Sequence, residues 1–179
     1  YTTVLAIEFS PVVLEKFHLE RPLAIVRKIS PPLIILGVLL STLHQSSLGS
    51  LFLIIPGRMH PLWYSNIIPF LFIISCVAAG LAMTIFESFL SSRAFGRELE
   101  LPLLSELAKV MVVTLVLFFT VRVQDLMNRD ALQYVLQPTY QSIMFLGELL
   151  LGVVLPAVLL MFNKIRTNRA GLFYSAALV

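Results

Sequence analysis

One run decides what this chain can become. Residues Pro31 to Ile55, PPLIILGVLLSTLHQSSLGSLFLII, are 25 in number and include no Asp, Glu, Lys or Arg. A helix of about 20 apolar residues crosses a hydrocarbon core of about 30 Å, so the run reads as a membrane span. Its middle is nonetheless polar: Thr42, His44, Gln45, Ser46 and Ser47, then Gly49 and Ser50. Polar groups at that depth are tolerated where they face protein or a water-filled cavity. Histidine can carry a proton either way near neutral pH. His44 is the one histidine in an expected span, since His18 and His60 fall in connections. His44, Gln45, Ser46 and Ser47 are therefore the first candidate site.

The remaining sequence has the same character. Charged residues make up 13% of the chain, about half the roughly 25% of an ordinary globular protein. The fold expected is an all-α integral membrane protein, a transmembrane helix bundle with about four complete spans and partial helices at both ends. We take residues 1–179 as a single transmembrane helical domain. After Pro31–Ile55, spans are expected at Ile67–Leu90, Leu103–Leu126 and Gln141–Phe162. Pro31 and Pro32 suit a first helical turn, where a missing N–H is tolerated. Glu15 to Ser30 then reads as a basic connection with room for a short interfacial helix. Pro156 should interrupt the last span. Ala131, Leu132, Val135 and Leu136 recur at helical spacing and suggest a short interfacial helix.

The segments before Leu14 and after Arg169 are apolar but too short to span, so the chain is expected to be an interior portion of a longer one. The single cysteine, Cys76, excludes a disulfide within the chain, and no cysteine pair suggests zinc or iron–sulfur ligation. The net charge of +3 fits flanks facing membrane lipid; no nucleic-acid patch is evident.

Loop charges set an orientation. Lys16, Arg21, Arg27, Lys28, Arg93, Arg97, Lys164, Arg166 and Arg169 lie at the ends expected on one side, and Arg58, Arg122 and Arg129 on the other. The positive-inside rule makes the first side cytoplasmic. Trp63, Tyr64 and the 128–137 segment then face the periplasm.

Ionisable groups inside spans are functional candidates, because burying one at the centre costs at least about 2.5–3.5 kcal/mol. Here they are Glu8, His44, Glu87, Glu106, Lys109, Arg122, Asp125 and Glu148. Glu106 with Lys109, and Arg122 with Asp125, are each three residues apart and share a helix face, which suits structural ion pairs. Glu87 and Glu148 stand alone on their helices. They read either as interhelical hydrogen-bonding groups or as proton carriers. A membrane haem of the b type is usually held by two histidines within spans, and only His44 qualifies, so no haem is expected in this portion. One imidazole with distant carboxylates is a poor metal set, and no metal is expected.

Three motifs carry a resemblance. STLHQSSLGSLFLI, HPLWYSNIIPFLFIIS and GLAMTIFES resemble the NrfD-type, polysulfide-reductase-like membrane subunit family. The likeness is greatest to the membrane subunits of periplasmically oriented uptake nickel–iron hydrogenases, and it covers about Glu8 to Arg166. The resemblance implies a haem-free membrane subunit of a prokaryotic inner membrane. Such a subunit binds menaquinone or ubiquinone near the periplasmic side. It anchors a periplasmic iron–sulfur subunit joined to a hydrogenase or other oxidoreductase, and in some relatives a multihaem cytochrome c. By residue, the histidine of the LHQSS run falls on His44 and the acidic residue after GLAM on Glu87. The acidic residue of the preceding helix falls on Glu8.

The function expected is that of a quinone-reactive membrane anchor subunit of a respiratory oxidoreductase. It would pass electrons between a periplasmic partner and membrane quinone, with His44, Glu87, Glu8 and Glu148 handling protons. The alternatives are a secondary transporter or proton channel, and a purely structural anchor. No internal repeat of the kind frequent in transporters is visible.

Overall fold

The computed structural model describes residues 2–18, 20–54, 57–96 and 98–179. The described residues are mostly helical and include no strand. Four helices are long and apolar enough to cross a membrane. The elements are α1 (Thr2–Lys16), α2 (Glu20–Leu51), α3 (Ile68–Phe95), α4 (Leu101–Asn128), α5 (Leu132–Val135) and α6 (Tyr140–Leu149). A π-helical turn (Leu150–Val154), α7 (Leu155–Met161), α8 (Asn163–Arg166) and α9 (Arg169–Leu178) follow. The all-α membrane bundle expected from the sequence is the fold observed. The chain divides into two compact units, 1–47 and 48–179, with the division inside α2.

In the first unit α1 and α2 meet at Val4 and Gly37, where a Cβ on the glycine would lie 3.4 Å from Val4 Cγ1. Pro11 lies within α1 and cannot bond the Ile7 carbonyl one turn back. The Ser10 hydroxyl donates to that carbonyl instead, at 2.6 Å. The Glu15–Arg27 ion pair is exposed and worth at most about 1 kcal/mol.

The sequence reading began the second helix at Pro31. The structure corrects this, because α2 starts at Glu20 and carries Pro31 and Pro32 in its interior. A membrane-spanning helix can accommodate proline where neighbouring groups re-satisfy the freed carbonyls. The basic segment before Pro31 is thus the helix's own entry. At 1.5 Å per residue its 32 residues extend about 48 Å. That exceeds the hydrocarbon thickness and leaves the charged turns outside it.

The second unit is built on the α3–α4 pair, with the π turn, α7 and α9 packed against it. Ala78, Ala82 and Ile85 of α3 meet Leu104, Ala108, Met111 and Leu115 of α4 in the buried seam. The alanines let the helix backbones approach, as membrane packing favours. Val153, Ala157, Leu160, Leu172 and Ala176 complete this core. Gly96 closes α3 in the left-handed conformation, its N–H on the Ser92 carbonyl. The interruption expected at Pro156 takes the form of the π turn just before it.

Gly49 sits where the end of α2 crosses the start of α3. A Cβ there would come within 2.7 Å of Pro69 Cα and 3.1 Å of Pro69 N, both backbone atoms that cannot rotate away. Gly49→Ala is expected to destabilise the protein by about 1–3 kcal/mol through overpacking. Thermal unfolding of the purified full-length protein in detergent measures it, and an unchanged midpoint would show that the two backbones part at no cost.

Candidate functional site

The polar residues of the second unit converge where the 57–66 loop meets the last turns of α4. Leu104, Ala108, Met111 and Leu115 form the inward stripe of that helix, and Arg122 falls one heptad beyond Leu115 on the same stripe. It is buried. Its Nη2 donates to the Leu62 carbonyl at 2.9 Å, and its guanidinium carbon lies 5.4 Å from the Phe145 ring centroid. Asp125, also buried, accepts from Ser65 Oγ at 2.7 Å and from Arg129 Nε at 3.0 Å. Arg129 Nη1 donates to the Pro61 carbonyl at 3.0 Å. Two side chains of α4, with Arg129 at its C-terminal cap, therefore hold the loop at Pro61, Leu62 and Ser65. The sequence spacing had paired Asp125 with Arg122. Its recorded ion pair is instead with Arg129, four residues on and on the same helix face. The other expected pair is present, Lys109 Nζ on Glu106 Oε1 at 2.6 Å, with both side chains exposed.

The clamp fixes Trp63. Its indole N–H donates to Glu148 Oε2 at 2.9 Å. Its ring stands edge-on to Phe145, centroids 5.7 Å apart, and against His60 at 6.1 Å. Tyr134 lies edge-on to His60 at 5.8 Å, which joins the 129–136 segment to the loop. A partly open cavity of about 290 Å³ begins under Trp63, with Arg122, Glu148 and Ser75 contributing its polar groups. Ile68, Leu71, Phe72, Phe118, Phe145, Leu149 and Val153 supply its apolar wall. The volume falls just short of the roughly 300–1,000 Å³ of small-molecule sites, and few polar groups on apolar walls is their usual composition.

Of the residues singled out from sequence, Glu148 belongs to this cavity. Glu87 is exposed on α3 and lines a separate polar cavity of about 380 Å³, with Thr84, Ser88, Glu98 and Glu100. That cavity lies at the α3–α4 connection, the opposite end of the pair. His44 and Ser47 are exposed on α2 and Gln45 and Ser46 half-buried, while Glu8 is exposed on α1. The polar run stays helical throughout. Trp63 and Arg122 are the cavity residues the sequence reading left in structural roles. The inward stripe on α4 was the signal for Arg122; Trp63 had none beyond its aromatic ring.

Three of the four helices long and apolar enough to cross a membrane border this site, and with the family and relatives that follow they make the chain part of a multi-pass protein of the prokaryotic inner membrane. The chain belongs to the family described as Polysulphide reductase, NrfD, whose profile matches residues 3–179. The resemblance carried by the sequence motifs is borne out.

The chain is 34% identical over 180 residues to the Probable Ni/Fe-hydrogenase 2 b-type cytochrome subunit of Escherichia coli (strain K12), covering 98% of this chain and 45% of that one. It is 29% identical over 203 residues to the Menaquinone reductase, integral membrane subunit, of Nitratidesulfovibrio vulgaris (strain Hildenborough), covering 100% and 48%. A further protein of that bacterium is 37% identical over 186 residues, covering 100% and 47%. The chain thus spans about half the length of the curated relatives it matches. No solved structure matches it.

Proposed function

We propose that this chain is part of a quinone-reactive membrane subunit of a respiratory oxidoreductase, which exchanges electrons between a periplasmic iron–sulfur or cytochrome partner and menaquinone or ubiquinone. The observation that carries the reading is the cavity headed by Trp63, Arg122 and Glu148. Its apolar wall suits a flat ring, and Trp63, Arg122 and Glu148 gather around Phe145 and the Trp63–Glu148 hydrogen bond. When bound there, a quinone would supply two carbonyl oxygens that accept two electrons and two protons. Arg122, as a fixed cation, favours negative charge building at the nearer oxygen. The Glu148 carboxyl, exposed yet lining the cavity, supplies a proton when protonated and is refilled from water. The Trp63 indole orients Glu148 or, if it releases that carboxylate, donates to the ring oxygen.

His44, with Gln45, Ser46 and Ser47, and Glu8 and Glu87 enter this reading as proton-handling groups of the spanning helices. The packed 57–66 and 129–136 segments would be the face toward the electron-transfer partner, a hydrogenase-type complex by likeness to the Escherichia coli relative. That relative is named a b-type cytochrome subunit, but no haem is proposed for this stretch. The second unit has one histidine, His60, and so no pair of axial imidazoles.

Quinone reduction by the intact complex in membranes tests the proposal. Glu148→Gln is expected to cut turnover about 100-fold, the lower range for loss of a positioned acid or base. Trp63→Phe removes one hydrogen bond, about 1 kcal/mol, and is expected to raise the KM for quinone roughly fivefold. His44→Ala should slow turnover without loss of the subunit from the membrane. Wild-type kinetics in all three variants would sink the quinone assignment and leave an anchoring role.

A further inference from the structure

The second unit holds another cavity that the quinone reading does not use. It lies between the C-terminal end of α3 and the start of α9, and its volume is about 660 Å³. Its wall is aromatic and apolar. Phe173 stacks on Phe86 at 5.1 Å and 20°, meets Phe89 edge-on at 5.6 Å, and Leu90 and Tyr174 continue the wall. Arg93 and Arg169 also line it. Both are exposed, and neither side chain makes a hydrogen bond or ion pair among the described residues. Arg27, Arg122, Arg129 and Arg166 do have protein partners. These two guanidiniums, unpaired as those of Arg21 and Arg58 are, line one opening with no carboxylate among its described lining residues; Glu98 and Glu100 line the neighbouring cavity on the other side of Leu99.

We propose that this cavity binds an anionic glycerophospholipid, its phosphate held between Arg93 and Arg169 and its acyl chains laid along Phe89, Leu90 and Phe173. Charge complementarity selects an anionic headgroup over a zwitterionic one. The wall selects a lipid over a free anion, because inorganic phosphate gains nothing from aromatic surface. Basic pockets between transmembrane helices, at the end of the bundle richer in Lys and Arg, are where such headgroups dock. A bound lipid would bridge α3 to α9, two helices otherwise joined through the core.

The test uses the full-length protein in its complex, purified in detergent. Thermal unfolding and native mass spectrometry would be followed with added phosphatidylglycerol, phosphatidylcholine or inorganic phosphate. Phosphatidylglycerol alone is expected to raise the midpoint and to remain bound in the gas phase. The double variant Arg93→Gln with Arg169→Gln should bind it about thirtyfold more weakly, the loss expected for two interfacial cations. It should keep the wild-type midpoint in phosphatidylcholine. An equal shift with phosphatidylcholine or phosphate, or an undiminished phosphatidylglycerol response in the double variant, would overturn the proposal. A double variant already destabilised in phosphatidylcholine would show that protein, rather than lipid, covers the two arginines, and would overturn it as well.

Discussion

Replacing Asp125 with alanine is expected to destabilise the loop end of the bundle by about 3 kcal/mol. Removing one member of a buried ion pair costs about 3–5 kcal/mol, because the partner is left uncompensated. The Arg129 side chain retains 21% exposure and can rehydrate in part, so the lower figure applies. Ser65, fully buried, loses its acceptor at the same time. The 57–66 loop should then detach at Ser65, and Arg129 should lose the orientation that brings it to Pro61. Thermal unfolding in detergent should show the lower midpoint, and limited proteolysis should show faster cleavage within 57–66. Asp125→Asn keeps the acceptor oxygen for Ser65 and should recover part of the loss. A loop as resistant in Asp125→Ala as in the wild type would mean that Arg122 and Arg129 hold it without Asp125.

Phe145→Ala is expected to cost about 3–4 kcal/mol. The ring is 3% exposed, supports Arg122 from one side and meets the edge of Trp63. Truncating a buried phenylalanine costs about 3–5 kcal/mol, through lost contacts and the cavity left behind. The void would open directly into the cavity proposed to take quinone, which Phe145 lines. Unfolding measurements should therefore show a stability loss, and quinone kinetics a raised KM with turnover less affected. Phe145→Leu fills most of the volume and should fall between. A stability loss with unchanged KM would separate Phe145 from the ligand site.

The helices were legible because a bilayer imposes length. Runs of about 20 apolar residues with few charges leave little choice, and α3, α4 and the Tyr140–Met161 stretch lie close to their sequence-based bounds. Pro31 and Pro32 misled because proline marks a helix start in water but is tolerated inside a membrane helix. The inward position of Arg122 was readable from the 104, 108, 111, 115 stripe, yet its three-residue spacing to Asp125 drew attention to a pairing along the surface. Contacts across the fold left no trace. Trp63 and Glu148 are 85 positions apart, and Ser65 and Asp125 are 60. No periodicity within one helix encodes which loop atom will meet it. Gly49 was visible as a small residue in a polar run, while its fit against the Pro69 backbone depends on how two helices cross.

The wide turn at Leu150–Val154 has a geometric consequence. Phe145, Leu149, Val153 and Ala157 follow one another at steps of four. On a regular helix of 3.6 residues per turn each such step drifts about 40° around the axis, so Ala157 would point about 120° away from Phe145. A π turn takes more residues per revolution and absorbs much of that drift. The helix can then present an uninterrupted face, lining the cavity under Trp63 at one end and closing the α3–α4 core at the other. Five residues of altered winding act as a phase corrector between two environments that otherwise would demand two separate helices.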